Sequence, residues 1–269
     1  MAAGCILASN RESKMEIPVK GIRMSIEDSY NRLAPDYDLL RFGDKPGRYD
    51  FEETEVLIKN IITTRLQGCC HHWLALDVAC GTGKIAVTVG KLDETIVAVD
   101  VAPNMLRQCL ARSRAAGVED KVMLTNGRAE VLPFRTGSFD ICFSFRFLHL
   151  LPRAAYPGVV REMARVVRPG GHIVIEVKNR WYGGAVFWVK DLIRSINGES
   201  TFSSYMDIRQ LRSLAEEVDK VSLESVTGLL LPSGWRLMEY PYLRRIAQVQ
   251  AKRQFKRFAA NLVAIYRKG

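Results

Sequence analysis

Leu76-Asp77-Val78-Ala79-Cys80-Gly81-Thr82-Gly83-Lys84 constrains this chain more than any other stretch. A short apolar run, interrupted by one acid, enters a tight glycine turn. Trp73 to Ala79 is apolar and bounded by turn residues, so it reads as a buried parallel strand. Gly81 and Gly83 let the backbone turn sharply and let a ligand approach the main chain. Lys84 to Leu92 is compatible with a helix whose first N–H groups point at that ligand. The next apolar run, Ile96-Val97-Ala98-Val99, is closed by Asp100. An acid there, about 20 residues after the glycines, stands at a strand's carboxyl end and is placed to bind ribose hydroxyls. These features make up the first half of a nucleotide-type βαβ unit.

The glycines alone leave the nucleotide open. Gly81-Thr82-Gly83-Lys84-Ile85-Ala86 satisfies the dinucleotide form G-x-G-x-x-A, whereas an acid inside the first run, Asp77, suits an S-adenosylmethionine (SAM) site. The later motifs separate the two. Asn126-Gly127-Arg128-Ala129-Glu130-Val131-Leu132-Pro133-Phe134 is followed by Gly137-Ser138-Phe139-Asp140-Ile141-Cys142-Phe143-Ser144. Then come Leu148-His149-Leu150-Leu151 and Arg165-Val166-Val167-Arg168-Pro169-Gly170-Gly171-His172-Ile173-Val174-Ile175-Glu176. This ordered series, over roughly residues 73–178, resembles the class I SAM-dependent methyltransferases. It is most similar to the branch that holds the ubiquinone and menaquinone C-methyltransferases and many small-molecule methyltransferases. Tyr30 to Asp38 resembles the segment that opens that branch.

The alternation of helical and strand patterns after Ala79 predicts a parallel sheet with helices on both faces. Helices are expected near 82–91, 103–116 and 155–168, and strands near 95–100, 121–126, 139–145 and 171–178. Apolar spacing over Asp50 to Leu66 predicts an amphipathic helix before the first strand. Arg168-Pro169-Gly170-Gly171 reads as a helix stop followed by a turn. Val221 to Thr227 and Asn261 to Tyr266 read as further strands. The expected fold is thus α/β: a three-layer, doubly wound, mostly parallel seven-stranded sheet of the Rossmann-like methyltransferase type. By resemblance, its last strand inserts antiparallel between the fifth and sixth. The expected division is residues 1–66 as a helical arm and cofactor cover, 67–178 as the SAM-binding core, 179–217 as a lid or substrate insertion, and 218–269 as the end of the sheet with a basic helix.

The resemblance also implies roles. Asp77, Ala79, Gly81 and Gly83 would line the methionine part of SAM, with Cys80 inside the turn at a position the family often fills with glycine or another small residue. Asp100 would hold the ribose, and Val101 and Met105 would pack the adenine. Ala129 and Glu130 would lie at the adenine edge, and Phe145 and Arg146 would supply backbone near the sulfonium. Tyr30 and Tyr37 would cover the cofactor. Arg128 stands where the family often has an acid that accepts from the adenine amino group. A guanidinium cannot accept a hydrogen bond, so Glu130 or a backbone carbonyl must do so. Trp181, Tyr182 and Tyr205 either line an apolar substrate pocket or simply pack it. His149 is the candidate general base, against the plainer reading of a packed or capping histidine, and Glu176 is a second candidate. Asp140 fits a structural carboxylate bonded to backbone N–H groups.

The implied cofactor is SAM, with S-adenosyl-L-homocysteine as its product, and the implied partner is a small-molecule or lipid-like acceptor. No metal is expected. Cys69-Cys70-His71-His72 tempts as a cluster, but adjacent strand residues point to opposite faces, and the six cysteines include no Cys-x-x-Cys pair. Ser144-Phe145-Arg146-Phe147 lacks the Asn or Asp followed by Pro-Pro and an aromatic of amino-methylating nucleic-acid enzymes, so nucleic acid is not the expected substrate. The net charge of +10 is concentrated between Pro241 and Gly269, which hold eight Lys or Arg and no acid. Leu243, Ile246, Val249, Phe255 and Phe258 interleave with those charges. That pattern suits a peripheral membrane helix or an RNA face, and a solvated helix packed on the domain is the plainer account. No basic region precedes Cys5-Ile6-Leu7-Ala8, so no signal peptide is expected and a cytoplasmic location is the default. RNA methylation and a SAM-binding scaffold without catalysis stand as alternatives. Nothing in the sequence fixes the oligomeric state.

Overall fold

Unbroken apolar runs need neighbours on both sides and cover on both faces, and the sheet supplies both. The computed structural model describes residues 16–19, 22–42, 47–66, 73–181, 205–229 and 259–269. A hairpin of β1 (Glu16–Val19) and β2 (Ile22–Ser25) leads into α1 (Ile26–Leu33), α2 (Tyr37–Phe42) and α3 (Gly47–Leu66). The alternating core follows: β3 (Leu74–Val78), α4 (Lys84–Gly90), β4 (Thr95–Asp100), α5 (Pro103–Ala115), β5 (Val122–Asn126) and β6 (Phe139–Ser144). Short 3-10 turns at Leu148–Leu150 and Arg153–Ala155 precede α6 (Tyr156–Val166) and β7 (Val167–Asn179). The last elements are β8 (Tyr205–Met206), α7 (Ile208–Glu216), β9 (Val221–Leu229) and β10 (Asn261–Lys268).

The main sheet runs β5-β4-β3-β6-β7-β10-β9, with the short β8 added beside β7. Strands β3 to β7 pair in parallel, while β10 lies between β7 and β9 and is antiparallel to both. The expected sheet and the insertion of its final strand are therefore present.

Side chains alternate across a strand, and here the alternation divides the core in two. Leu76, Val78, Val97, Val99, Ile173 and Ile175 face one cluster, which α6 and α7 cover through residues such as Val160, Met163, Leu211 and Leu214. Ala75, Ile96, Ala98, Ile141, Phe143 and Val174 face the other, covered by Ile58, Ile61 and Ile62 of α3 and by α4. Helix α7 lies inside the span expected to form an insertion, yet its apolar stripe is core and the Tyr266 hydroxyl donates to Leu211 O at 3.0 Å. An Asp207–Gln210 capping box starts it.

Two local features depart from the sequence reading. The 168–171 segment is not a free turn but a bulge inside β7. Phe139 pairs with Val167 whereas Ile141 pairs with His172, so the segment loops out of register. A Cβ on Gly171 would stand 2.6 Å from Asp140 O, which restricts that site to glycine. Asp140 itself accepts from Leu74 N at 2.8 Å and pairs with Arg168 at 2.6 Å, tying the starts of β3, β6 and β7 together. The β1–β2 hairpin and β8 had no signal in the sequence. The Cys69–His72 cluster, Tyr182, most of the 179–217 insertion and the basic segment 241–258 lie outside the described residues. Among the described residues no helix is long and apolar enough to cross a membrane.

Candidate active site

Ligands of open α/β sheets sit beyond the carboxyl ends of the strands, and the motifs converge there. Two strand ends carry the same backbone irregularity. Ala79 after β3 has φ 58°, and Arg146 after β6 has φ 55°. Non-glycine residues hold this left-handed conformation only where the surroundings enforce it, often at a site. Both residues line a cavity of about 850 Å³, measured to its open mouth. Its wall includes Asp77, Cys80, Gly81, Asp100, Val101, Met105 and Phe145. A smaller recess of about 480 Å³ is lined by Gly127, Arg128, Ala129 and Glu130. Ala79, Asp100 and Val101 belong to both, so the recess opens beside Asp100.

The glycine turn is fixed by its own hydrogen bonds. Cys80 N donates to Val99 O at 2.9 Å, and Gly83 N to Cys80 O at 3.0 Å. Gly83, with φ 77°, enters α4, and a Cβ on it would lie 2.2 Å from Cys109 Sγ. Its role is therefore to let α4 pack against α5; it does not line the cavity. Asp100 uses both oxygens on backbone donors: Gly81 N at 2.8 Å and Ala102 N at 2.9 Å. Burial raises its pKa, and those amides act in the opposite direction.

Asp77 differs. It is buried, and its Oδ2 has no hydrogen-bond partner among the described residues. Burial, reinforced by the charge of Asp100, pushes its pKa up to about 8. A carboxylate held so far from water calls for a cation or a strong donor. The ammonium and sulfonium of SAM's methionyl end meet that need, and a ribose beside Asp100 would span the junction of the two hollows. The residues therefore fit the cofactor.

Residues of the N-terminal arm, Ile26, Tyr30 and Tyr37, form part of the cavity wall. Ser25 caps α1 by accepting from Asp28 N at 3.1 Å. Asn31 anchors α1 to the first turn of α5: its Oδ1 accepts from Asn104 N and its backbone carbonyl accepts from Asn104 Nδ2, both at 2.9 Å. Asp38 on α2 accepts from Thr82 Oγ1 at 2.9 Å and pairs with Arg112, whose Nε also donates to Thr82 O at 2.9 Å. Tyr30 and Tyr37 line the cavity with ring centroids 6.2 Å apart, and they pack on Ala34, Ala102 and Met105.

The structure thus brings Tyr37, Asp77, Ala79, Cys80, Gly81, Asp100, Val101, Met105 and Phe145 to one cavity, and Ala129 and Glu130 to the adjoining recess. Arg128 and Glu130 pair at 3.6 Å. His149 is buried and is not part of either wall, although its neighbour Leu150 is. Glu176 is buried behind Arg146, with 4.0 Å between Oε2 and Nε. Tyr205 lies beneath Lys178, whose Nζ is 5.8 Å from the ring centroid, and Trp181 is exposed. Sequence reasoning missed Ile26, Thr54, Thr82, Lys84, Phe147 and Leu150 on the wall, and the Asn31 and Asp38 anchors behind it. Lys84 was visible beside the glycines; the anchors had no local signal.

The sheet order is that of the Rossmann-like methyltransferase fold, with the glycine turn and the two buried carboxylates at its carboxyl rim. Residues 75–171 match the family model of the methyltransferase domain. The chain is 30% identical over 101 residues to 27-O-demethylrifamycin SV methyltransferase of Amycolatopsis mediterranei, a stretch covering 37% of this chain and 36% of that relative. Only about a third of that relative's length is therefore spanned. A longer match, 25% identical over 243 residues, joins 79% of this chain to 85% of the ubiquinone/menaquinone biosynthesis C-methyltransferase of Brucella canis. Among solved structures, magnesium protoporphyrin IX methyltransferase from Synechocystis PCC 6803 shares the fold with a TM-score of 0.64. It is 12% identical, with 91% of this chain and 98% of that chain covered.

Proposed function

We propose that this protein transfers a methyl group from SAM to a small-molecule or lipid-like acceptor. The observation that carries the reading is the pair Asp77 and Asp100, two buried acids on the cavity wall beside the glycine turn, with Asp100 also on the wall of the recess. Bound there, SAM supplies a methyl carbon already activated by its sulfonium. Asp77 balances the charge of the methionyl end. Asp100, its geometry locked by two amides, orients the ribose. Ile26, Tyr30 and Tyr37 on the arm and Phe145, Phe147 and Leu150 below exclude water and line up the acceptor. Much of the rate then comes from alignment. The apolar wall suits a carbon-rich acceptor, as do the small molecules in the names of the relatives.

The same reading takes residues 182–204 as part of a substrate cover and the basic segment 241–258 as a peripheral contact with anionic membranes. Binding of the full chain to anionic vesicles should then fall as salt rises.

The decisive experiment incubates the purified chain and methyl-labelled SAM with a lipid extract, a set of small phenols and an RNA pool. Label in the lipid or phenol fraction supports the reading. Label confined to RNA overturns the substrate class, and no label anywhere leaves a binding scaffold. Calorimetry on Asp100→Ala should show a large loss of SAM affinity; unchanged affinity removes the ribose assignment.

A further inference from the structure

Six large apolar side chains are exposed among the described residues: Leu39, Leu40, Val56, Met123, Val131 and Trp181. Val56 and Met123 lie on the body of the domain, within α3 and β5. The other four stand at the carboxyl rim of the sheet, beside the cavity. Leu39 and Leu40 are on α2, the helix whose Tyr37 lines the cavity and whose Asp38 holds the glycine turn. Val131 follows Ala129 and Glu130 of the recess. Trp181 stands two residues past the carboxyl end of β7. Leu39, Leu40 and Trp181 are the barest of the six, at 71%, 62% and 65% exposed.

Sheet order fixes how they are spread. Strands β4, β3 and β6 lie between β5 and β7, and all five run parallel. Neighbouring strands are about 4.8 Å apart, so Val131 and Trp181 follow strand ends about 19 Å apart. The cavity residues that end β3, β4 and β6 fall between them, and α2 is tied to that same middle through Thr82. Single apolar residues scattered over a surface are ordinary, whereas a set grouped around an apolar cavity marks a contact. The exposed charges of this rim are mostly positive. Arg32 on α1, Arg107 on α5, Arg153 after β6 and Arg180 after β7 are exposed, against Asp28 and Asp36. A protein seated here would plug the cavity. A lipid surface would feed it, and it suits tryptophan and leucine set among arginines that reach lipid phosphates.

Resting on the methyl-transfer reading, we propose that this rim docks on an anionic lipid bilayer, with Leu39, Leu40 and Trp181 entering the headgroup layer and the cavity turned toward the membrane. A carbon-rich acceptor then passes from the bilayer into the apolar cavity without crossing water. The rim is a surface apart from the basic segment 241–258. Charge acts at a distance and attracts the chain to the membrane, whereas apolar insertion sets which face meets it.

The test uses the full chain with vesicles of phosphatidylcholine, alone or mixed with phosphatidylglycerol, and follows binding by flotation. The double variant Leu39→Ser, Leu40→Ser should bind the mixed vesicles about tenfold more weakly or worse, because both leucines lose their burial at the acyl boundary. Its melting temperature and SAM affinity should match the wild type, since neither side chain is buried or on the cavity wall. Brominated acyl chains should quench wild-type indole emission, and Trp181→Phe should bind yet lose most of that quenching. Vesicle binding that responds to salt but ignores the leucines overturns the rim and leaves the basic segment to hold the membrane. Quenching unchanged in Trp181→Phe overturns the orientation. A wild type that sediments as a dimer, dissociated by the leucine changes, gives the patch to a second copy and overturns the proposal. A double variant that melts below the wild type shows the leucines covered by the chain itself and does the same. SAM titration of the same samples separates the two readings. Rim-dependent vesicle binding without SAM uptake overturns methyl transfer alone, and SAM uptake without vesicle binding overturns the rim alone.

Discussion

Thr82 donates its hydroxyl to Asp38 at 2.9 Å, joining the glycine turn to a helix 44 residues earlier in the chain. Arg112 completes the clamp by binding the Asp38 carboxylate and the Thr82 carbonyl at once. Asp38→Ala removes the shared acceptor. The arm then spends less time closed, and apparent affinity falls with the closed fraction. SAM affinity measured by calorimetry should drop by roughly fivefold to tenfold, and protease cleavage within residues 26–42 should quicken. Unchanged affinity and cleavage would detach the arm from cofactor binding.

Asp77 gives a pH signature. Burial pushes its pKa in the folded state up to about 8, from the ordinary 3.8 of an aspartate, so the folded state holds this proton more tightly than the unfolded state does. Stability of the free protein therefore falls as pH rises from about 4 to about 8, because the unfolded chain has lost a proton that the folded chain must either keep or release at a cost. Asp77→Asn removes that cost. The variant should melt above the wild type at pH 8, and the gap should shrink toward pH 4. SAM affinity should fall at least about tenfold in the same variant. Parallel melting curves across that pH range would contradict the buried carboxylate.

Gly83→Ala tests the packing beneath the turn. A methyl there meets Cys109 Sγ at 2.2 Å while the backbone keeps φ 77°. Overpacking and left-handed strain together should destabilise the domain by roughly 3 kcal/mol. Gly83→Ala with Cys109→Ala should recover part of that loss, since the second change relieves the clash with sulfur but not the strain. Denaturant melts of the three variants measure both terms.

Arg165 holds the segment below the recess. Its guanidinium donates to Phe134 O at 2.8 Å and Leu132 O at 2.9 Å, and Glu162 accepts from Leu132 N at 2.9 Å. Arg165→Met leaves those carbonyls to water and should destabilise by about 2 kcal/mol. Adenosine binding should weaken with it, because Arg128 to Val131 continues directly into the anchored segment. Wild-type adenosine affinity in the variant would separate the recess from this anchor.

Sequence legibility followed sequence separation. The turn at Ala79 to Gly83 and the acid at Asp100 are local patterns of strand, turn and helix, and they appear where read. The insertion of β10 came from family resemblance, since nothing in Asn261 to Tyr266 declares which strands it joins. Asn31 and Asp38 were illegible because their partners, Asn104 and Thr82, are 73 and 44 residues away. The 168–171 bulge was read as a turn because Pro-Gly-Gly has the composition of one, while the strand on either side is revealed only by its pairing. His149 drew attention by its chemistry and its place after β6; burial away from the wall depends on how the 3-10 turn packs, which no motif encodes.

The position of β10 also governs the order of assembly. Strands β7 and β9 are synthesised before the piece that joins them, so each waits with an unsatisfied row of amides and carbonyls. The last seam of the sheet is sealed from within by a late-arriving strand. Until it arrives, the facing sides of β7 and β9 stay unpaired and open to pairing with other chains.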